Sequence, residues 1–240
     1  MIIEAQAEYL AYLRRAGETR EVDGAFAVKT EASSNTENGV VAYAAVTEVA
    51  ELVAWLADAP ASWLDLEGAN HEALIAAGAR PENNGRQMSA HISDVRLVPP
   101  RNVAVELADV GEWFDFASAH DWFGEPDERV AFERLYRGLV GDRFRLTIAR
   151  VGGEVVGFAS AFYGSDFVLL TQLVVDELAR RRGVATALTA ERLERARELG
   201  CDLAILSPSP EGALAYAAFG FEARPTPPGR WYYLPCSRSL

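Results

Sequence analysis

Lysine is nearly absent from this 240-residue chain; Lys29 is the only one. Cysteine is as scarce, with Cys201 and Cys236 alone, which is no disulfide framework and no zinc cluster. The three histidines, His71, His91 and His120, lie far apart in no ligand spacing, so no metal is expected. No apolar run approaches the ~20 residues that a membrane span needs. The opening MIIEAQAEYLAYLRR lacks the basic n-region and small-residue cleavage site of a signal peptide. A cytoplasmic protein without a membrane partner is expected. Basic excess is missing too: the net charge is −12 and both halves are acidic. That balance argues against a nucleic-acid groove and is compatible with a small cationic acceptor.

What is present is an ordinary globular mixture, half of it hydrophobic, long enough for one large domain or two small ones. Val98-Pro99-Pro100-Arg101 marks the clearest boundary, because two prolines remove two donors and fix two φ angles. This predicts a first domain over 1–96 and a second over 97–240. In the first, helices are expected over 4–16, 48–57 and 71–77, the last capped by Asn70. Strands are expected at GVVAYA (39–44), SWLDL (62–66) and 87–92. In the second, strands are expected at 102–107, 144–151 and 154–163, the last two joined by the hairpin signal Gly152-Gly153. Further strands are expected at 167–175, 202–206, 221–223 and 231–234. Helices fall at 110–119, 127–138, 183–199 and 211–219, with Gly124 and Pro126 read as breakers and Pro227-Pro228-Gly229 as a turn. The order is β-α-α-β-β-β-α-β-α-β-β.

A long apolar strand, FVLLTQLVV, therefore runs into Arg180-Arg181-Arg182-Gly183-Val184-Ala185 and a helix. Helix N-termini present unpaired N–H groups and a positive dipole end, and a glycine there lets backbone approach a ligand closely. A pyrophosphate could rest on the amides of residues 181–186, with three arginines supplying a local exception to an acidic field and Thr186 a hydroxyl. The alternative is a basic loop before an ordinary amphipathic helix, with Ala185, Leu188, Ala196 and Leu199 near one face. Neither the P-loop nor the dinucleotide fingerprint is matched, which disfavours nucleotide hydrolysis and hydride transfer.

Leu173-Val174-Val175 followed by Arg180-x-x-Gly183-x-Ala185-x-x-Leu188 resembles the acetyl-CoA motif of the GNAT superfamily of N-acetyltransferases. A second segment, from Ser209-Pro210-Glu211 through Tyr216 to Gly220-Phe221, resembles that family's helix-to-strand segment ending in Y-x-x-x-G-F. The element order agrees over about 140 residues. The resemblance implies an α/β (α+β) fold, a mixed, mostly antiparallel GNAT-like sheet flanked by helices, in two tandem copies. It implies transfer of an acetyl group from acetyl-CoA to a small-molecule or peptide amine by direct attack in a ternary complex. The cofactor arm would hydrogen-bond to backbone at Leu173 and Val175, beside Val174. The pyrophosphate would lie on Arg181, Arg182, Gly183, Val184, Ala185 and Thr186, with Arg180 at the motif's first position. Tyr216 matches the tyrosine that protonates the leaving thiolate. Ser209 stands where many members carry an asparagine, and Glu177 where a proline is common.

The family often uses an acidic base on its fourth or fifth strand; FVLLTQLVV and DLAILS offer none. His120, Asp121 and Glu125 are the candidates, with Trp122 and Phe123 as pocket walls. Otherwise, an amine of low pKa or a chain of waters would remove the need for a base. The first domain follows the element order of the N-terminal halves of tandem GNAT proteins, but without an arginine–glycine turn, so no cofactor is expected in it. A catalytically silent CoA-binding or scaffold protein, and a longer acyl donor such as succinyl-CoA, stay open, as does monomer or homodimer.

Overall fold

The computed structural model describes residues 2–82, 87–123, 125–224, 229–234 and 236. Gly124, Pro227 and Pro228 lie outside them. The chain forms two compact units, Met1–Gly85 with Pro225–Leu240, and Arg86–Arg224. The division therefore does not fall at Pro99-Pro100, as the loss of two donors had suggested.

The first unit contains α1 (Ile2–Leu13), β1 (Glu18–Val22), β2 (Ala25–Lys29), β3 (Gly39–Ala42), α2 (Val49–Trp55), β4 (Ala61–Asp65), α3 (His71–Ala76) and β5 (Arg80–Pro81). The hairpin β1–β2 was not anticipated. It turns at Asp23-Gly24, where Gly24 has φ 82°, a conformation that glycine reaches without cost. Asn70 stands at the start of α3 but does not cap it with its side chain. Its Oδ1 instead accepts from the Val46 N–H at 2.8 Å, and its amide donates to the Ala44 carbonyl at 3.0 Å.

The second unit contains β6 (Met88–His91), β7 (Ala104–Leu107), α4 (Val110–Ala119), α5 (Pro126–Leu139), β8 (Phe144–Val151), β9 (Glu154–Tyr163) and β10 (Phe167–Val175). A 3₁₀ turn (Glu177–Ala179), α6 (Val184–Glu198), β11 (Leu203–Leu206), α7 (Pro210–Ala218) and β12 (Glu222–Ala223) follow. Pro126 opens α5 rather than breaking the chain, since the first helical position needs no N–H donor. The last strand, β13 (Trp231–Leu234), belongs to the first unit.

The two sheets share one plan. Strand order is β1-β2-β3-β4-β13-β5 in the first and β12-β6-β11-β10-β9-β8-β7 in the second. Each holds a single parallel pair, β3 with β4 and β10 with β11, and all other neighbours are antiparallel. The strand beyond each parallel pair comes from the opposite end of the chain. β13 pairs with β4, where Tyr232 and Leu234 are buried, and β6 pairs with β11. Both strands were expected in the other half, because alternation reveals a strand but not its partner.

In the second unit α4 packs an aromatic core. Trp113, Phe114, Tyr136 and Phe158 are buried, with Trp113 edge-on to Phe158 at 4.5 Å between centroids. On α6 the buried face carries Val184, Leu188, Arg192 and Ala196 at fourfold spacing, while Leu199, expected on it, is exposed.

Candidate active site

The parallel pair in the second unit comes apart. β10 pairs with β11 only at Phe167↔Leu203, Val168↔Ala204 and Leu169↔Ile205, then runs on to Val175 while β11 ends at Leu206. Beyond Leu169 that edge of β10 has no ladder partner on β11. On its other side the register with β9 shifts between Thr171 and Val174, and Gln172 takes φ 43°. Such a bulge bends and twists its strand, which carries β10 away from β11.

Side chains fix the bulge. Ser160 Oγ lies 2.7 Å from Thr171 Oγ1 and donates to Gln172 Oε1 at 2.6 Å. The Gln172 amide donates to the Tyr136 hydroxyl. From α6 the buried Arg192 guanidinium donates to the carbonyls of Ser160 at 3.0 Å and Thr171 at 3.2 Å. Neither Gln172 nor Arg192 was singled out in the sequence. Their signals were there: one amide in an apolar strand, and one arginine on the stripe Val184–Leu188–Ala196.

The strand leads to the arginine turn. Asp176 Oδ1 accepts from the Leu178 N–H at 2.7 Å and starts the 3₁₀ turn. Arg181 and Gly183 both have positive φ, 63° and 80°. A Cβ on Gly183 would stand 2.7 Å from Pro100 Cγ, so glycine is required there by conformation and by space. No side chain caps α6 and no acid lies in its first turn. The first amides of the helix are therefore open to an anion. Arg180, Arg181 and Arg182 are exposed around them, Arg180 pairing with Glu177 at 3.3 Å. Val184 contributes only backbone, its side chain being buried with Ala149, Ala159 and Leu188; Ala185 and Thr186 are half-buried.

A cavity of about 340 Å³ occupies the parting. Leu173, Ala185, Leu206, Ser209, Tyr216 and Trp122 are among its lining residues. Tyr216, on α7, packs edge-on against Phe221 at 5.3 Å and presents its phenol side to the same space. Ser209 lines the cavity but also caps α7, its Oγ accepting from the Gly212 N–H at 3.1 Å. Five of the residues picked from sequence thus line one space: Trp122, Leu173, Ala185, Ser209 and Tyr216.

The acid–base candidates fare differently. Asp121 and Glu125 are exposed and neither lines the cavity. Phe123 stacks on Phe114 at 5.2 Å instead of forming a wall. His120 stacks on Phe116, its Nδ1 2.8 Å from the Phe116 carbonyl and its Nε2 3.1 Å from Asp176 Oδ2. A carbonyl and a carboxylate both accept, which favours the doubly protonated ring. Partial burial acts against the charge, but these two acceptors outweigh it and raise the His120 pKa; the same contact holds Asp176 low. These contacts tie the end of α4 to the end of β10 and occupy both ring nitrogens, so neither is left open to serve as a base.

Among the described residues no group of three or more His, Cys, Asp or Glu could hold a metal ion, and Cys201 and Cys236 are buried. No described helix is long and apolar enough to cross a membrane.

No curated protein sequence matches the chain. Solved structures do match along its length. A GCN5-related N-acetyltransferase from Kribbella flavida superposes with a TM-score of 0.68 at 17% identity, covering 96% of this chain and 93% of that one. A tandem GNAT protein from the clavulanic acid biosynthesis pathway gives 0.57 at 13%, covering 96% and 94%. A conserved Staphylococcus epidermidis protein of unknown function gives 0.56 at 13%, covering 91% and 93%. These show the fold, two GNAT-like halves in tandem. The acetyltransferase (GNAT) family model matches residues 107–221, which span the bulged strand, the arginine turn and Tyr216. The GNAT family domain, residues 107–221, therefore lies in the second unit.

Proposed function

We propose that the second half of the chain, residues 97–240 less the strand given to the first sheet, transfers an acetyl group from acetyl-CoA to a small-molecule or peptide amine. One observation carries the reading: β10 parts from β11 beside an uncapped helix N-terminus, with Tyr216 facing the gap. The pantetheine arm would take the open backbone of Leu173 and Val175, next to Val174. The pyrophosphate would rest on the amides of residues 181–186, with Arg180, Arg181 and Arg182 as counter-charge. Ser209 keeps a hydroxyl proton to donate to the arm.

The amine nitrogen would attack the acyl carbon directly. The N–C bond forms, the C–S bond breaks, the thiolate takes the Tyr216 proton as it leaves, and the proton shed by the nitrogen passes through water to restore the Tyr216 phenol. Acetyl fits better than a longer acyl group, since about 340 Å³ lies at the small end of ligand sites and must also hold the end of the arm. The first unit is proposed to bind no cofactor. All four residues of β3 pair with β4, and the Leu66 N–H extends the ladder to Ala42, so that pair has no parting.

A second reading, a silent CoA-binding or scaffold protein, is favoured by the lack of a carboxylate in the described cavity lining. Release of CoA thiol with an amine panel separates the two. The enzyme reading expects turnover that falls by about 10²-fold in Tyr216→Phe, with acetyl-CoA affinity retained. Tight acetyl-CoA binding with no turnover on any amine supports the silent one.

A further inference from the structure

The electrostatics of the cavity bear on which amine it accepts, given the acetyl-transfer reading above. Its described lining is neutral: apolar side chains, the hydroxyls of Thr171, Thr189, Ser207 and Ser209, and the Gln172 amide, with Tyr216 its only titratable group. Immediately behind that wall lies a permanent cation. Arg192 is 1% exposed and hydrogen-bonds the Thr171 carbonyl at 3.2 Å and the Thr189 hydroxyl at 3.4 Å, and both of these residues line the cavity. Its described hydrogen-bond partners are carbonyls and that hydroxyl, with no carboxylate among them. Glu191, the residue beside it on α6, interacts with it electrostatically, and Arg145, Arg195 and Glu198 act on Glu191 in turn. Burial pushes the Glu191 carboxyl up while Arg192 opposes the shift, and Glu191 does not line the cavity. His120 has both ring nitrogens engaged, by the Phe116 carbonyl and by Asp176.

An ammonium ion entering this space meets no counter-charge and a buried positive field, and loses its water. A neutral amine loses nothing comparable, and the same field favours the negative charge that develops on the acyl oxygen.

We infer that the acceptor is an amine already uncharged near neutral pH, such as a hydrazide, hydroxylamine or arylamine, and that no enzyme group deprotonates it. Alkyl ammonium acceptors of the lysine type are selected against by Arg192.

The test is the pH dependence of kcat/KM for the full-length protein with acetyl-CoA, comparing a small acyl hydrazide with butylamine. The hydrazide profile is expected to be flat from about pH 6 to 8. The butylamine profile is expected to rise tenfold per pH unit, following its own ionisation near the ~10.4 of a lysine amine. At pH 7 the hydrazide is expected to lead by at least tenfold. In Arg192→Gln the ratio of the two values should narrow by about tenfold; structural damage would lower both and leave the ratio. If that variant does not fold, the wild-type profiles decide. A break at one pKa common to both amines would reveal an enzyme base and overturn the inference, as would butylamine leading at pH 7. Turnover of neither amine, while calorimetry shows acetyl-CoA bound, would overturn acetyl transfer itself and this inference with it.

Discussion

Gly183 and Gly200 bracket α6 with almost the same backbone, φ 80° and 79°, and differ in what surrounds them. Alanine at either position pays the left-handed penalty of about 1–2 kcal/mol. At Gly200 a Cβ meets nothing within 4 Å, so Gly200→Ala is expected to lose that much and no more. At Gly183 it would stand 2.7 Å from Cγ and 2.9 Å from Cδ of Pro100, atoms of a ring that cannot swing aside. Overpacking of that kind costs about 1–3 kcal/mol more, for a total of about 2–5 kcal/mol. Urea unfolding followed by ¹⁹F-tryptophan resonance at Trp113, buried in the same unit, reads this without interference from the other one. Pro100→Ala in the Gly183→Ala background should return the clash and leave the conformational part, a coupling of about 1–3 kcal/mol. Acetyl-CoA affinity should fall tenfold or more in Gly183→Ala, where the first amides of α6 must shift, and stay near wild type in Gly200→Ala. The reasoning fails if the two substitutions cost the same, or if Pro100→Ala relieves nothing.

Four further outcomes are expected. A chain ended at Arg224 lacks β13, and with it the buried Trp231, Tyr232 and Leu234; unit 1 should lose its cooperative unfolding while the Trp113 signal persists. Tyr232→Ala alone should cost about 3–5 kcal/mol, measured by urea unfolding of the first unit. NMR titration should place His120 above its ordinary value, and Asp176→Asn should bring it down. Because the folded pKa is raised, the stability His120 contributes is fully present below the unfolded ~6.5 and lost as pH rises through the folded value. For Asp176, held low, it is present above the unfolded ~3.9 and lost as pH falls through the folded value. Substituting the exposed Arg182 by alanine should weaken acetyl-CoA a few-fold at low salt, as an exposed pair worth about 0.2–1 kcal/mol would, with the difference vanishing at high salt.

The most legible parts were those that local chemistry dictates. Gly152-Gly153 announced the β8–β9 hairpin, and the strand expected over 167–175 is β10 to the residue. The arginine turn, with Gly183 in a left-handed conformation before α6, was likewise read where it stands, and the anion site proposed on it follows from amides and charge alone. Strand partners were not legible: β6 and β13 were recognised as strands and placed in the wrong sheets, since nothing local names a neighbour. The bulge at Gln172 was equally hidden, because its positive φ is stabilised by Ser160, Tyr136 and Arg192 from three other elements. Asp23-Gly24 shows a plainer miss, a hairpin signal present in the sequence and passed over between short, half-polar strands.

Amide hydrogen exchange of the full chain, with and without acetyl-CoA, tests the site most directly. Slowed exchange is expected in β10 beyond Leu170, at Leu173 and Val175, and at Val184 to Thr186, with β3 and β4 unchanged. No protection at those amides, or protection centred on β3 and β4, would contradict a cofactor held in the parting of β10 and β11.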